Sequence, residues 1–571
     1  MSQRCTTQLV VVCGVCGVQP TTPAGDEAGM SFSERQALLV SDQNNQNTQH
    51  DHNDQNDQSD RTLEFAPSAR RDSSISQVGD YGYPSRPGVS SGVCSTWTLM
   101  GLMLIFLGLL FRVSNLFSKH GDTSACDTID DGYQCQPETS HLWGQYSPYF
   151  AVPSEISTQL PDGCRISFVQ LLSRHGGRDP TSTKTILYNE TIQQIISNVQ
   201  RNRFSGRYAF LANYKYNLGA DRLTVFGENQ MVHSGIKFFS RYQDIALNFT
   251  PFIRAGGSNR VIESALKFSQ GYHAAKQSSP YSKDDAYPYP ILVIPETDGE
   301  NNTLSHGLCT AFEDHEINTV GAVAQQTFLS TFAPPITSRL NRALPNANLS
   351  LEQTIYLMDL CPFASIASPS GSISPFCSLF TGSEWEGYNY YQSLGKYYGY
   401  GGGNPLGPTQ GVGFVNELIS RMTDRPVKDH TSVNKTLDSD PSTFPLGPNV
   451  RLYADFSHDN DMIPIFSALN LFNNTSPLSN TSITDATDSD GFSAAWAVPF
   501  AGRAYFEKMR CDEGTGLETG SELVRILIND RVVPLNGCEA DELGRCEVRK
   551  WIASLGFAKR GGHWDMCWDL N

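Results

Sequence analysis

Positive charge is scarce in this chain. Lys and Arg number 42 against 59 Asp and Glu, for a formal net charge of −17. That shortage argues against a general nucleic-acid binder, which needs a basic face to neutralise phosphates. The deficit is not confined to one tail. Residues 1–112 carry 7 Lys/Arg and 11 Asp/Glu, a net of −4, which leaves −13 to the remainder. An anionic substrate must therefore be held by a local cluster of cations and not by the field of the whole molecule. Paired Cys-x-x-Cys motifs with zinc-finger spacing are also missing: Cys13-Gly-Val-Cys16 stands alone, and the sequence calls for no metal and no cofactor. No fixed-period repeat runs through the 571 residues, so a solenoid is excluded and there is length for more than one compact unit.

Three further absences divide the chain. Apolar side chains almost vanish between Asp42 and Asp60, inside a stretch from 20 to 90 rich in Gln, Asn, Asp, Ser and Pro. Such a segment cannot bury enough surface to offset its ordering entropy, so residues 1–92 read as a disordered tail, with the His/Asp mixture at His50–Asp54 solvated. Charge is absent between Arg86 and Arg112. A bilayer core needs about 20 apolar helical residues, and residues 93–113 supply them too far from the start for a cleaved leader. They read as an uncleaved transmembrane signal anchor, in preference to the short apolar run Leu9–Val18. Sequons are absent before residue 112. Eight follow it, at Asn189, Asn248, Asn301, Asn348, Asn434, Asn473, Asn474 and Asn480. Their one-sided distribution puts the C-terminal body in the lumen or outside, with N-glycans, and the N-terminus in the cytoplasm; proteolytic release from the anchor is compatible with this.

Cysteine is plentiful. Ten of the 14 lie beyond the anchor, an even number suited to five disulfides in an oxidising compartment. Within this body Arg165–Leu172 reads as a buried strand and Val450–Phe456 as an alternating one, each followed by a helical pattern. Alternation of strands and helices argues for an α/β sheet. The first strand runs into Ser173-Arg174-His175-Gly176-Gly177-Arg178-Asp179-Pro180, and the second ends at Ser457-His458-Asp459. In open α/β folds ligands bind beyond the C-terminal ends of strands. Two guanidinium forks flanking a histidine suit a phosphate group, and glycines allow close approach. The second loop adds an imidazole and a carboxyl group.

Arg174-His175-Gly176-x-Arg178-x-Pro180 with a distant His458-Asp459 is the signature pair of the histidine acid phosphatases. The chain resembles in particular the fungal phytases, from about Cys126 to its end. The landmarks are Leu218–Thr224, Phe252–Arg260, Gly403–Gly411 and Tyr453–Asn460. The resemblance implies a histidine phosphatase-type doubly wound α/β sheet within 114–571, with a smaller, mainly α-helical inserted domain drawn from roughly 187–250 and 315–440. It implies that His175 attacks phosphorus to form a phosphohistidine, that Asp459 protonates the leaving alkoxide, and that Arg174, Arg178, Arg260 and His458 bind the phosphate oxygens. Arg254 is the fallback for Arg260, a surface charge otherwise. Lys184 and Lys396 become further substrate contacts for phytate, each weighed against surface solvation. Gly395, where some members have a second lysine, and Asp179, beside the cradle, would weaken multi-phosphate binding. The implied disulfides are Cys126–Cys135, Cys164–Cys511, Cys309–Cys567, Cys361–Cys377 and Cys538–Cys546.

The reading is a monomeric phosphomonoesterase, acting on the small molecule phytate and not on nucleic acid, with activity peaking at about pH 4–6. A broad-specificity acid phosphatase is the alternative. A catalytically silent membrane glycoprotein belongs to another class and sits badly with an intact His175, Arg178, His458 and Asp459.

Overall fold

The computed structural model describes residues 126–282, 286–314, 316–473, 476–512 and 521–568. The tail at 1–92, the apolar segment at 93–113, the first four cysteines and Asn474 lie outside the described residues. Among the described residues no helix is long and apolar enough to cross a membrane.

Four short apolar runs form the parallel half of one mixed sheet: β1 (Cys164–Arg174), β2 (Phe252–Gly256), β3 (Ile291–Ile294) and β4 (Leu452–Ser457). β1 pairs with β4, β4 with β2 and β2 with β3. Beyond β1 the sheet continues antiparallel through β5 (Arg503–Cys511), β6 (Glu522–Ile528), β7 (Arg531–Val532) and β8 (Cys546–Glu547). The order is β8-β6-β5-β1-β4-β2-β3, with β7 also on β6. The α/β expectation is met, with an antiparallel wing that the sequence reading did not separate.

The longer helices are α1 (Ser182–Asn198), α2 (Val225–Arg241), α3 (Asn259–Gln277), α4 (Val320–Ala343), α5 (Leu351–Ile366), α6 (Gly382–Tyr400), α7 (Val412–Thr423) and α8 (Asp459–Ala468). Side chains alternate along a strand, and here both faces are covered. Val169, Leu171, Leu452 and Ala454 meet Phe238 of α2 and Phe268 of α3 on one face. Phe168, Leu172 and Tyr453 meet Leu394 of α6, Phe414 of α7 and Ile463 of α8 on the other. The alternation read at Val450–Phe456 therefore sorts residues between two cores and not between core and solvent: all six residues of β4 are buried. A third cluster, with Tyr188, Leu340, Leu357 and Trp385, lies among α1, α4, α5 and α6. Capping boxes fix two of these helix starts, Ser350 with Gln353 for α5 and Thr381 with Glu384 for α6. Each fully buried Leu or Phe contributes roughly 1.5–3 kcal/mol, so these clusters hold the layers together.

All five disulfides that the resemblance implied are formed: Cys126–Cys135, Cys164–Cys511, Cys309–Cys567, Cys361–Cys377 and Cys538–Cys546. Register then positions the site. Arg174 sits opposite Ser457, Ala255 opposite Phe456, and Gly256 opposite Ile294. Four parallel strands thus end close to one level, and their following loops open on one edge of the sheet.

Candidate active site

Because Arg174 and Ser457 are in register, the loops after β1 and β4 leave side by side. The His175 backbone N–H donates to the Ser457 carbonyl at 3.1 Å, and the His175 carbonyl accepts from Ala501 at 2.9 Å. Gly176 is required here by its neighbour: a Cβ would lie 2.4 Å from the carbonyl oxygen of Gly227 in α2. The His175 side chain is buried, and its Nδ1 lies 2.8 Å from the carbonyl oxygen of Gly176. A carbonyl only accepts, so Nδ1 carries the hydrogen and Nε2 keeps its lone pair. Burial, then Arg174, Arg260, His458 and Arg178, push the imidazole well below its ordinary range and keep it neutral.

The cations gather beside His175. Arg174 donates to the Val498 carbonyl at 2.8 Å and to that of Gln145, and its guanidinium lies 4.5 Å from the Phe500 ring centre. Arg178 donates to the Asp179 carbonyl at 2.7 Å and lies 5.9 Å from the same ring. The Nε atoms of Arg174 and Arg178 are buried with no hydrogen-bond partner among the described residues. They are donors that a tetrahedral oxyanion can use. Arg260, second residue of α3, stands 3.9 Å from Asp221 and bears electrostatically on His175. The ring of His458 is centred 5.4 Å from that of His175.

Asp459 opens α8 beside this group. Its Oδ1 is 3.3 Å from Arg174 and its Oδ2 is 2.6 Å from Lys396 Nζ. Burial alone would raise the carboxyl group, but Arg174, Lys396 and Arg178 outweigh it and hold it far below the usual carboxylate range. As it stands, Asp459 is an ionised base. It can act as an acid once a bound phosphate takes up the same positive charge.

Two expectations need correction. Arg254 is neither a phosphate clamp nor a surface charge. It lies within β2, buried, donating to Asp455 at 2.9 and 2.8 Å and to Glu417 at 2.6 Å, while Arg421 reaches Asp455 at 2.8 Å. A residue inside the strand faces a core; only one beyond its end reaches the mouth. Lys396 is not solvated: it is 5% exposed and bonded to Asp459 and, at 2.5 Å, to Asn460. Asp179 turns its carboxyl group to the Gly219 backbone, and burial raises it. Lys184, half-buried, lies 4.9 Å from the Tyr356 ring centre. It shares a cavity with Lys396, Gln145, Gln325 and Asp359 next to the cradle.

Sequence reasoning missed Glu296, whose Oε1 is 3.1 Å from His458 Nε2. Its surroundings, Pro295-Glu296-Thr297-Asp298-Gly299, look like a solvated turn. The usable signal was its place just past the apolar strand β3. Asp359 was missed too. It is a buried carboxyl group in α5, raised by burial and bonded to Tyr188 at 2.7 Å and to Tyr388.

Known proteins resemble this chain along most of its length. Residues 165–529 match the family model of the histidine phosphatase superfamily (branch 2). The chain is 52% identical over 460 residues to Phytase A of Aspergillus fumigatus, covering 80% of this chain and 96% of that protein. It is 45% identical over 512 residues to Phytase A of Neurospora crassa, covering 82% and 100%. Among solved structures, the phytase from D. castellii superposes with a TM-score of 0.58 at 21% identity, covering 73% of this chain and 85% of that one. The multiple inositol polyphosphate phosphatase of Bifidobacterium longum, in complex with inositol hexasulfate, gives 0.51 at 13% identity, covering 73% and 98%. At those identities the superpositions speak for the fold alone.

Proposed function

The chain belongs to the histidine phosphatase superfamily, branch 2, and on that footing we propose that it is a phytase, releasing phosphate stepwise from myo-inositol hexakisphosphate. The observation that carries the reading is the state of His175. Its Nδ1 is tied to Gly176, its Nε2 has no hydrogen-bond partner among the described residues, and Arg174, Arg178, Arg260 and His458 gather around it with Asp459 alongside. Relatives named Phytase A, near half identical across most of the chain, favour phytate as the ester.

The chemistry follows. Arginines and His458 pin the phosphoryl oxygens and neutralise their charge, which supplies most of the catalysis in phosphoryl transfer. Nε2 of His175 forms a bond to phosphorus as the ester P–O bond breaks, and its electron pair leaves with the inositol oxygen. Asp459, protonated after phosphate binding, gives that oxygen its proton. Water then attacks phosphorus, the N–P bond breaks, and Asp459 takes the water's proton. Inorganic phosphate and free His175 result.

Lys184 and Lys396 line the cavity beyond the cradle and are the groups for phosphates not being cleaved. Gly395 and Gln325 there bring no charge, and Lys396 is already engaged by Asp459. That favours a second reading, a broader acid phosphatase. Exposed Asn189, Asn248, Asn348, Asn473 and Asn480, with five disulfides, support an extracellular or lumenal body carrying N-glycans. Residues 93–113 remain its proposed anchor.

Incubation with phytate at acidic pH, scored by released phosphate and by acid quenching for phosphohistidine, tests the reading. No release from phytate while an aryl phosphate is hydrolysed selects the broader phosphatase; release from neither removes both.

A further inference from the structure

Glu296 lies two residues beyond β3, at the level where four strands end. Its side chain is 4% exposed, so an ionised carboxylate there requires partners. It has one on each oxygen. Oε1 accepts from His458 Nε2 at 3.1 Å, and Oε2 accepts from the Ser258 hydroxyl at 2.7 Å. Ser258 immediately precedes α3, whose second residue is Arg260. The third neighbour is Gly256 at the end of β2, where a Cβ would come within 2.1 Å of Oε1. One carboxylate therefore ties the loop after β3 to both the loop after β4 and the start of α3.

We infer that Glu296 is a positioning residue for phosphate capture, acting through His458 and the Ser258 turn. With Oε1 on Nε2, the ring of His458 is fixed about its side-chain bonds and Nδ1 is the nitrogen left to donate to a phosphate oxygen. The carboxylate thus orients the ring that meets the anion. The second oxygen holds the backbone turn from which Arg260 enters the site. Burial would raise the Glu296 carboxyl group, but His458, Ser258 and Arg260 bring it down to about 2, so it stays ionised through the acidic range. Glu296 touches no reacting atom.

The inference rests on the phosphatase reading of the site, and its test separates the two. Binding of inorganic phosphate by calorimetry, and turnover of an aryl phosphate, are compared for the intact protein, Glu296→Gln, His458→Asn and the double variant. Glu296→Gln is expected to weaken phosphate binding and raise KM roughly tenfold, with kcat changed less. In the His458→Asn background the same change is expected to cost much less, at most about two- to threefold, because only the tie to Ser258 is left for it to act through. Equal losses in both backgrounds, or none in either, overturn the inference while leaving the phosphatase reading intact. Coupled phosphate binding without any ester turnover does the reverse. Should Glu296→Gln not fold, Ser258→Ala removes one tie only. It is expected to weaken phosphate binding by about two- to threefold with the fold intact; unchanged binding counts against the proposal.

Discussion

At the scale of single residues the cradle was legible because most of it is contiguous. Arg174, His175 and Arg178 lie within five positions, and His458 adjoins Asp459, so local spacing reports local geometry. His175→Ala is expected to lower phytate turnover by roughly 10⁴-fold or more while thermal unfolding stays within a few degrees; retained turnover would sink the mechanism. The bonding of Lys396 was not legible, since its partner Asp459 lies 63 positions away. It is one of three cations that hold Asp459 down, with Arg174 and Arg178. Lys396→Met removes it, so Asp459 gives up its proton at a higher pH. The alkaline limb of the pH–kcat profile should then move up by roughly one unit while phosphate binds more weakly. A profile that does not move would show that Lys396 leaves the acid untouched.

At the scale of elements, the strands that carry the site were readable as apolar runs, yet their inward charges were not. Arg254, Asp455, Glu417 and Arg421 form a buried network beneath β2 and β4. Breaking one partner of such a set leaves an uncompensated charge. Arg254→Met is therefore expected to cost about 3–5 kcal/mol in denaturant unfolding, and a change under 1 kcal/mol would refute the network's structural role. A loop that packs against the first turn of α8 carries a second device. Buried His306 meets Glu313 at 2.7 Å, and its backbone donates to Asp461 in the first turn of α8 at 2.8 Å. Burial opposes its proton, but Glu313 and Asp461 raise it to about 9 from 6.5. A raised histidine contributes stability fully below 6.5 and loses it as pH rises through about 9. Unfolding temperature should fall across that window, and His306→Gln should lower the acid plateau and flatten the fall. An identical slope in the variant would contradict this.

For the whole molecule the titrations combine. Glu296, depressed to about 2, contributes stability above 4.5 that is lost as pH falls toward 2, while His306 fails on the alkaline side. Asp438, raised by burial and then Glu417 from 3.8 to about 8, lowers stability progressively as pH rises across that window. The fold is therefore expected to be most stable in the acidic range where the site is proposed to act. Cys309–Cys567 ties the C-terminal segment to the residues beside His306 across 258 positions. Replacing both by Ser should cost about 2–5 kcal/mol, and unfolding in reducing and oxidising buffer measures it. The sequence by itself determined the strand-end loops, the residue types proposed to bind phosphate and, through family resemblance, the disulfide pairs, because these are local spacings or long unbroken matches. Only the tertiary structure decided which arginine reaches the mouth, what Lys396 and Glu296 hold, and that β4 is buried on both faces. Those are facts of register and burial between segments far apart in the chain, and no local pattern encodes them.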